Sequence, residues 1–320
     1  MTGKPMDLTA IIVNFNTEGL LQDAISRLQT AAARMSLKIA IVDNASKDNS
    51  VALITREFPD CHLIVNDMNV GFGRANNQAL NLVEGRYVLL LNTDAFVAPD
   101  TLDKTIAYMD AHPRCGLLGV RLVGRDGALQ PSARYFPTPW NLFLGRTGLN
   151  RIFPLVRMVD DMAWDHASVR QCDWVPGCYY LVRKEVINQV GLFDPRYFLY
   201  YEEVDHCLAA KQAGWEVVFY PDTTVIHIGG ESAKTESTVT TSGRQIEAIQ
   251  IESELLYFRK NHGIAGVWGH VLLTFCADAL ILLKRLLLHR SPTHLATYTN
   301  HSALVWVLFR RTAWATCSTR

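Results

Sequence analysis

The sequence lacks several features that would assign it to common functional classes. Its 31 basic residues equal its 31 acidic residues, which argues against a general nucleic-acid-binding protein, because such proteins carry a basic excess. Seven cysteines are scattered without a CxxC pair, so neither a disulfide framework nor a zinc site is indicated. The first residues, Met1–Asp7, lack the apolar run of a secretory signal. These absences favour reduced thiols and a cytoplasmic location.

The glycine-rich fingerprint of dinucleotide-binding proteins is also missing. Gly71 and Gly73 follow the third predicted strand instead of the first, and Asn76 stands where a third glycine would be needed. A hydride-transfer enzyme is therefore not favoured. We expect a nucleotide to be held by carboxylate and amide groups and a metal ion, and not by a glycine-rich phosphate loop.

The first part of the chain alternates strand and helix patterns. The predicted strands are apolar and cover Leu8–Val13, Ile39–Val42, Leu63–Val65 and Tyr87–Leu91. Helical patterns separate them, and this alternation is typical of βαβ units in a parallel sheet. With 320 residues, 49% of them hydrophobic, the chain can form one large α/β domain or two smaller ones.

Polar residues follow each of the four predicted strands. They are Asn14 and Asn16, Asp43 and Asn44, Asn66 to Asn69, and Asn92 with Asp94. One polar strand end is ordinary turn chemistry. Four at the carboxyl edge of one sheet predict a ligand-binding crevice, because ligands of open α/β sheets bind there.

The ending of the fourth strand favours a metal. Asn92 and Asp94 are two residues apart, so in extended backbone their side chains point the same way. This spacing suits a divalent cation shared with a diphosphate, since Mg²⁺ takes one or two protein carboxylates and leaves its other positions to water and phosphate. An Asx turn is the alternative interpretation.

A second acidic cluster lies at the start of a predicted helix, where Glu202, Glu203 and Asp205 follow several aromatic residues. Acidic residues are favourable at a helix N-terminus, and this explains one carboxylate better than three. A carboxylate facing an apolar cleft is what a general base requires. The cluster therefore predicts a catalytic base.

Taken together, the motifs resemble those of family 2 glycosyltransferases of the GT-A fold, in particular the bacterial rhamnosyltransferase-like branch. Eight short segments match in order: Ile12–Asn16, Val42–Ser46, Asn69–Asn77, Leu91–Asp94, Trp174–Cys178, Gly191–Asp194, Tyr201–Asp205 and His227–Gly230. The implied fold is α/β, with a mixed, mostly parallel sheet, helices on both faces and a C-terminal helical extension. The implied catalytic domain covers 1–230, with a nucleotide-sugar half at 1–115 and an acceptor half at 116–230.

The resemblance also implies roles for individual residues. Asp94 and His227 would hold Mg²⁺ or Mn²⁺ at the diphosphate, and Asn92 would contribute a water-mediated contact. Trp174, Gly177 and Cys178 would shape the acceptor side, although Trp174 alone could equally be a core residue. The nucleotide and the donor sugar would be lined by Asn14, Asn16, Asp43, Asn69, Gly71, Arg74, Asn76 and Asn92.

The catalytic base departs from the family pattern, which commonly has Glu-Asp where this chain has Glu202-Glu203. Glu203 is the expected base, and Asp205 is the reserve candidate. The implied reaction is a single displacement with inversion, in which a sugar moves from dTDP-rhamnose or a UDP-sugar to a glycan or polyprenyl-linked acceptor. Two alternatives are a non-catalytic partner in a polysaccharide assembly complex and a sugar nucleotidyltransferase.

The C-terminal part differs in composition. Residues 231–263 are expected to form a lid or helix, and 264–320 to form apolar, membrane-associated helices. His270, Thr274, Asp278 and Arg285 fall near one helical stripe. Because Asp278 would be costly inside a bilayer, a helix lying on the cytoplasmic membrane surface is favoured over a spanning one. A helix packed on the protein core is the alternative.

Overall fold

The computed structural model describes residues 6–229, 244–287 and 295–320. The chain forms two compact units. Unit 1 comprises Met1–Arg134, Met162–Pro195 and Glu202–Val239, and unit 2 comprises Tyr135–Asp161, Arg196–Tyr201 and Thr240–Arg320. The division differs from the boundaries expected from the sequence, because residues 135–161 and 196–201 group with the C-terminal helices.

Unit 1 is built on one mixed sheet. Its strands are β1 (Leu8–Asn14), β2 (Leu37–Asp43), β3 (His62–Val65), β4 (Tyr87–Leu91), β5 (Ala95–Phe96), β6 (Cys115–Val123), β7 (Leu129–Gln130), β8 (Arg170–Gln171), β9 (Tyr179–Arg183) and β10 (Glu216–His227). The helices of this unit are α1 (Glu18–Ala31), α2 (Ser50–Glu57), α3 (Phe72–Gln78), α4 (Thr101–Ala111), α6 (Lys184–Val190) and α7 (Glu202–Gln212). The predicted α/β fold with a mostly parallel sheet is confirmed.

The strand order of the sheet is β3-β2-β1-β4-β9-β6-β10-β5, with β7 paired to β6 and β8 paired to β10. β1 to β4 run parallel, so their carboxyl ends meet at one edge. β9 is antiparallel to both β4 and β6. Its first residue therefore lies beside the last residue of β4, as the pairing of Tyr179 with Leu91 shows.

Apolar side chains on the strands and on the buried helix faces form one core in unit 1. β4 is buried along its whole length, as expected for a central strand covered on both faces. On α1, the buried residues Leu21, Ala24, Ile25 and Leu28 repeat at helical spacing, which fixes the face that packs on the sheet. This packing holds the polar strand ends in place.

Unit 2 is helical. It contains α5 (Pro139–Thr147), α8 (Arg244–Leu287) and α9 (Leu295–Arg311). Thr138 caps α5 through a reciprocal pair of hydrogen bonds with Asn141. α8 is interrupted at Gly263, whose φ of 65° is non-helical. The sequence analysis predicts a boundary at the same residue, between segments 231–263 and 264–320. Phe143 and Leu144 of α5 pack with Ala277 of α8.

Candidate active site

The segment after β4 is a tight turn. Ala95 N–H donates to Asn92 O at 3.1 Å, and Asn92 N–H donates to Cys178 O at 3.1 Å. The backbone between Asn92 and Asp94 is therefore not extended, and the sequence argument that both side chains point the same way does not apply. The turn instead leads directly into β5, which pairs with the end of β10.

This pairing brings Asp94 and His227 together. Ala95 is the register partner of His227, Ile228 N–H donates to Asp94 O at 3.0 Å, and Gly229 N–H donates to Asp94 Oδ2 at 3.1 Å. The His227 Nε2 atom lies 3.6 Å from Asp94 Oδ1. Both side chains are largely buried. The two residues expected to bind a metal thus face each other at the carboxyl edge of the sheet.

The other side of the His227 ring contacts Gln130, a residue that the motif analysis did not single out. Gln130 Oε1 lies 2.9 Å from His227 Nδ1. Burial lowers the pKa of His227, and the nearby Asp94 carboxylate opposes that shift. The neutral imidazole, which is the metal-binding form, is therefore favoured by its surroundings.

The Asp94–His227 pair fits a divalent cation that completes its coordination from elsewhere. Adjacent ligands of an octahedral ion with bonds of ~2.1 Å are about 3 Å apart, and the observed 3.6 Å needs little closure. No cluster of three or more metal-ligating side chains occurs within residues 6–229, 244–287 and 295–320. Water and substrate phosphates would have to supply the remaining ligands, as is usual for Mg²⁺.

The ends of β1 and β2 form a buried hydrogen-bonded group. Asn14 Nδ2 donates to Asp43 Oδ1 at 2.7 Å, and Thr17 Oγ1 donates to Asn14 Oδ1 at 2.7 Å. The hydroxyl oxygens of Thr17 and Thr93 are 2.8 Å apart. This chain of contacts links the expected nucleotide-binding residues to the turn that carries Asp94, because Thr93 precedes it directly.

The remaining residues of the nucleotide group lie on neighbouring loops. Asn16 adopts a left-handed φ of 52°, and its Oδ1 accepts from Lys47 N–H at 2.6 Å. Asn69 Oδ1 accepts from Asn44 Nδ2 at 2.8 Å and from Gly71 N–H at 2.9 Å. Gly71 has a φ of 91°, a backbone angle that residues with a side chain rarely adopt. The loop before α3 is thereby fixed against the end of β2.

Helix α3 carries Arg74 and Asn76, which both contact the backbone. Arg74 Nε donates to Pro195 O at 2.6 Å. Asn76 is fully buried, and its Nδ2 donates to Phe72 O at 2.9 Å. A Cβ added at Gly73 would lie 3.6 Å from the Glu202 Cβ. Gly73 on α3 therefore lies next to the start of α7, where the predicted base lies.

The three acidic residues of the predicted catalytic cluster occupy the first turn of α7. Glu202 and Asp205 are 3% and 4% exposed. Among the described residues, Glu203 Oε2 is buried without a hydrogen-bond partner. Burial raises the pKa of Glu203, whereas a backbone hydrogen bond and the positive charge of Arg134 lower it. A buried carboxylate with a raised pKa has the character of a general base.

Arg134, whose positive charge acts on Glu203, packs against Trp174. Their backbones pair as an isolated bridge, and the Arg134 guanidinium carbon lies 4.3 Å from the centroid of the Trp174 ring. Trp174 is buried, so it packs in the interior of unit 1. The sequence analysis did not single out Arg134. Its proximity to Trp174 depends on a contact across 40 residues of chain, and no local pattern marks it.

Cys178 lies between the two halves of the site. It is 3% exposed, and its pKa is raised by burial and then by the negative charges of Asp94 and Glu203. Gly177 precedes it, and a Cβ at this position would contact the Phe72 ring at 3.5 Å. The predicted metal residues, the predicted base and the predicted acceptor-side residues thus belong to one region of unit 1.

The sheet topology is that of the GT-A fold, as two solved structures show. Mannosyltransferase PcManGT from Pyrobaculum calidifontis, solved with GDP-Man and Mn²⁺, has a similar fold, with a TM-score of 0.55, 16% identity and coverage of 98% of this chain and 89% of that one. S. aureus TarS 1-349 aligns with a TM-score of 0.50, 14% identity and coverage of 96% and 91%.

Residues 9–164 match the family described as Glycosyl transferase family 2. The N-acetylglucosaminyl-diphospho-decaprenol L-rhamnosyltransferase of Mycobacterium tuberculosis is 28% identical over 239 residues, which are 69% of this chain and 75% of that protein. Rhamnosyltransferase WbbL of Escherichia coli is 28% identical over 168 residues, 49% of this chain and 60% of that protein. Residues 9–164 therefore form a family 2 glycosyltransferase domain, and the relatives of the chain include rhamnosyltransferases. These matches support a hexosyltransferase-type transferase. The family resemblance read from the motifs is confirmed.

Proposed function

We propose that the protein transfers a sugar, with rhamnose favoured, from a nucleoside-diphosphate donor to a glycan or lipid-linked glycan acceptor, with inversion at the anomeric carbon. The observation that carries this proposal is the pairing of β5 with β10. It sets the His227 imidazole 3.6 Å from the Asp94 carboxylate. Glu203, whose Oε2 atom is buried, belongs to the same unit.

Asp94 and His227 are the residues that would hold Mg²⁺ or Mn²⁺. When bound, the cation would neutralise the negative charge that develops on the departing nucleoside diphosphate. Asp94 supplies a carboxylate oxygen and His227 supplies Nε2. The backbone N–H of Gly229 orients the carboxylate by binding its second oxygen.

Glu203 acts as the base. It takes the proton of the acceptor hydroxyl, whose oxygen attacks the anomeric carbon from the face opposite the diphosphate. The bond from the anomeric carbon to the phosphate oxygen breaks, and no covalent bond to the protein is formed. Asp205 is the reserve candidate for this role, and Glu202 lies beside Gly73 at the start of α3.

The nucleotide would bind along the ends of β1 and β2. Asp43 and Asn14 would contact the base together with Asn16, and the loop that begins at Asn69 would line the donor sugar. dTDP-rhamnose is favoured as the donor, with a UDP-sugar as the alternative. The relative from M. tuberculosis is named for transfer to a decaprenol-linked acceptor, which supports a polyprenyl-linked acceptor here, used in cell-surface polysaccharide synthesis.

Such an acceptor places the reaction at the cytoplasmic membrane surface, and helix α8 supports contact with it. Among the described residues, one helical segment, Ile246–Lys284, is long and apolar enough to cross a membrane by length and composition. Apolar residues at helical spacing on α8 each expose at least 38% of their surface: Ile264, Trp268, Leu272, Phe275, Leu283 and Leu286. We call this set the exposed apolar stripe. It fits a helix that lies on the cytoplasmic face.

Replacement of Asp94 by Asn tests the function. We expect the Asp94→Asn variant to lose transfer from dTDP-rhamnose to N-acetylglucosaminyl-diphospho-decaprenol by roughly 10³-fold, since metal stabilisation of a leaving phosphate is worth several kcal/mol. Mn²⁺-dependent stabilisation by the donor in a thermal-shift assay should also disappear. Asp60→Asn, at an exposed turn, is the matched control. Wild-type protein that neither transfers nor binds any donor would favour a non-catalytic assembly role instead.

A further inference from the structure

Gln130 makes two contacts to one residue. Its Nε2 donates to the backbone oxygen of His227 at 2.8 Å, and its Oε1 lies 2.9 Å from His227 Nδ1. Gln130 ends β7, which pairs with β6, and β6 pairs with β10. The amide therefore reaches His227 from a different hairpin, across 97 positions of sequence.

The orientation of this amide follows from hydrogen-bond chemistry. The backbone oxygen of His227 can only accept, so the NH₂ group of Gln130 must face it. The Gln130 oxygen must then face His227 Nδ1. An amide oxygen can only accept, and so Nδ1 must carry the hydrogen. One backbone carbonyl thus determines the tautomer of the ring.

In the neutral ring with a proton on Nδ1, Nε2 holds a lone pair. That lone pair lies on the side of Asp94, whose Oδ1 is 3.6 Å away. Two electron-donating atoms that face each other are repulsive without a cation between them and are a preformed ligand pair when one is present. The opposite tautomer would direct a hydrogen into the same space and block it.

We propose that Gln130 is a positioning residue that locks His227 in the Nδ1–H tautomer and so presents the Nε2 lone pair beside Asp94. The metal role of His227 belongs to the proposed function, on which the purpose of this lock rests. The lock itself is a property of the metal-free protein. Partners of this kind typically change metal affinity by 10–100-fold when removed.

The test uses three variants of the full chain. Gln130→Leu removes both contacts at similar side-chain size. Gln130→Glu retains an oxygen that can only accept from Nδ1. Gln171→Leu is the matched control, because Gln171 is exposed on β8. The readouts are ¹⁵N NMR shifts of the histidine ring nitrogens in metal-free protein, with the His227 signals assigned by their loss in His227→Gln, and Mn²⁺ affinity measured by EPR with a nucleoside diphosphate present.

We expect Nδ1 of His227 to be the protonated nitrogen in the wild type, in Gln171→Leu and in Gln130→Glu. In Gln130→Leu, the Nε2–H form should appear, and Mn²⁺ should bind about 10–100-fold more weakly. A wild-type ring protonated on Nε2, or a Gln130→Leu variant with an unchanged tautomer, would overturn the proposal. If wild-type protein bound no Mn²⁺, the metal role would fail, while the NMR result would still decide the role of Gln130.

Discussion

The two units of the molecule distribute polar and apolar groups in opposite ways. In unit 1 the interior is apolar, and polar side chains gather where strands end, at Asn14, Asp43 and Asp94. In helix α8 of unit 2, His270, Thr274 and Asp278 are buried at 5–6% exposure, while the exposed apolar stripe faces outward. Unit 1 therefore has the arrangement of a protein that binds a polar ligand, and α8 has one suited to apolar surroundings.

Asp278, one of the buried polar groups of α8, has hydrogen-bond partners inside unit 2. Asp278 Oδ1 accepts from Arg146 Nη2 at 2.5 Å, and its Oδ2 accepts from Ser302 N–H at 2.9 Å. His270 Nε2 lies 3.2 Å from Glu254 Oε1. A spanning helix with an unpaired Asp278 would be costly, but the pairing offsets this cost. Helix α8 therefore presents its apolar residues, and not its polar ones, to the surroundings.

The largest effect on sugar transfer is expected from removing the Glu203 carboxylate of unit 1. Glu203→Gln should lower transfer by ~10²–10⁴-fold, the contribution of a general base. Burial raises the pKa of Glu203, so the unfolded chain releases this proton at a lower pH than the folded protein does. The fold therefore loses stability as the pH rises above the unfolded pKa of about 4.3. The variant should therefore melt at a higher temperature than the wild type at pH 8, and this difference should vanish as the pH falls below that value.

Glu185→Gln is the control for this comparison, because Glu185 is an exposed residue of α6. It should change neither transfer nor the pH dependence of melting. Full turnover by Glu203→Gln with the true acceptor would move the role of base to Asp205.

The second prediction concerns the ion pair between Asp278 and Arg146 in unit 2. Asp278→Ala removes the partner of Arg146 and should lower the free energy of unfolding by ~3 kcal/mol, the low end for a broken buried pair, since the Arg146 side chain is 29% exposed. Arg146→Met combined with Asp278→Asn should recover most of this loss, because no charge is then left unpaired. Urea unfolding of both variants measures the effect, and an Asp278→Ala variant as stable as the wild type would contradict it.

How far the sequence predicts these arrangements differs between the two units. The polar strand ends of unit 1 follow from strand patterns and motif order, because a parallel sheet brings its carboxyl ends to one edge. Gln130 and Arg134 could not be found in this way. Gln130 acts through a contact 97 residues away, and β7, on which it lies, carries no motif.

In unit 2, the spacing of His270, Thr274 and Asp278 reveals a stripe but not the direction in which it faces. That direction depends on Arg146, which lies 132 residues earlier on a helix the sequence analysis did not predict. The fourth member of the predicted stripe, Arg285, has a side chain outside the described residues. Periodicity identifies a face of a helix, and long-range pairing decides whether that face is inside or outside.

A third prediction tests the outward face. Replacing Leu272 and Leu283 by Glu should weaken binding to vesicles of anionic phospholipid by at least ~10-fold, since burying one leucine side chain is worth about 1.5–3 kcal/mol. Met68→Glu, at a position that is 70% exposed in unit 1, should leave vesicle binding unchanged. Vesicle binding is measured by co-sedimentation. If the double variant and Met68→Glu lost binding equally, the added charge and not the exposed apolar stripe would determine binding.

The last prediction concerns Glu254 and His270, which lie side by side in unit 2. Burial raises the pKa of Glu254 to about 7 and lowers that of His270 to about 3, so the folded state favours both in their neutral forms. Neutral Glu254 makes its full contribution to the stability of the fold below its unfolded pKa. This contribution is lost as the pH rises through 7. The His270 contribution runs the other way, growing between pH 3 and its unfolded value of about 6.5.

Glu254→Gln separates these two contributions, because it keeps the His270 contribution and removes only the titration of Glu254. The variant should gain thermal stability relative to the wild type between pH 5 and pH 8, with Glu185→Gln again as the control. A difference in melting temperature that is the same at both pH values would mean that Glu254 is solvated or already ionised in the fold. In that case, burying the polar groups of unit 2 would cost no more stability than burying the polar strand ends of unit 1. The contrast between the units would then rest on the exposed apolar stripe alone.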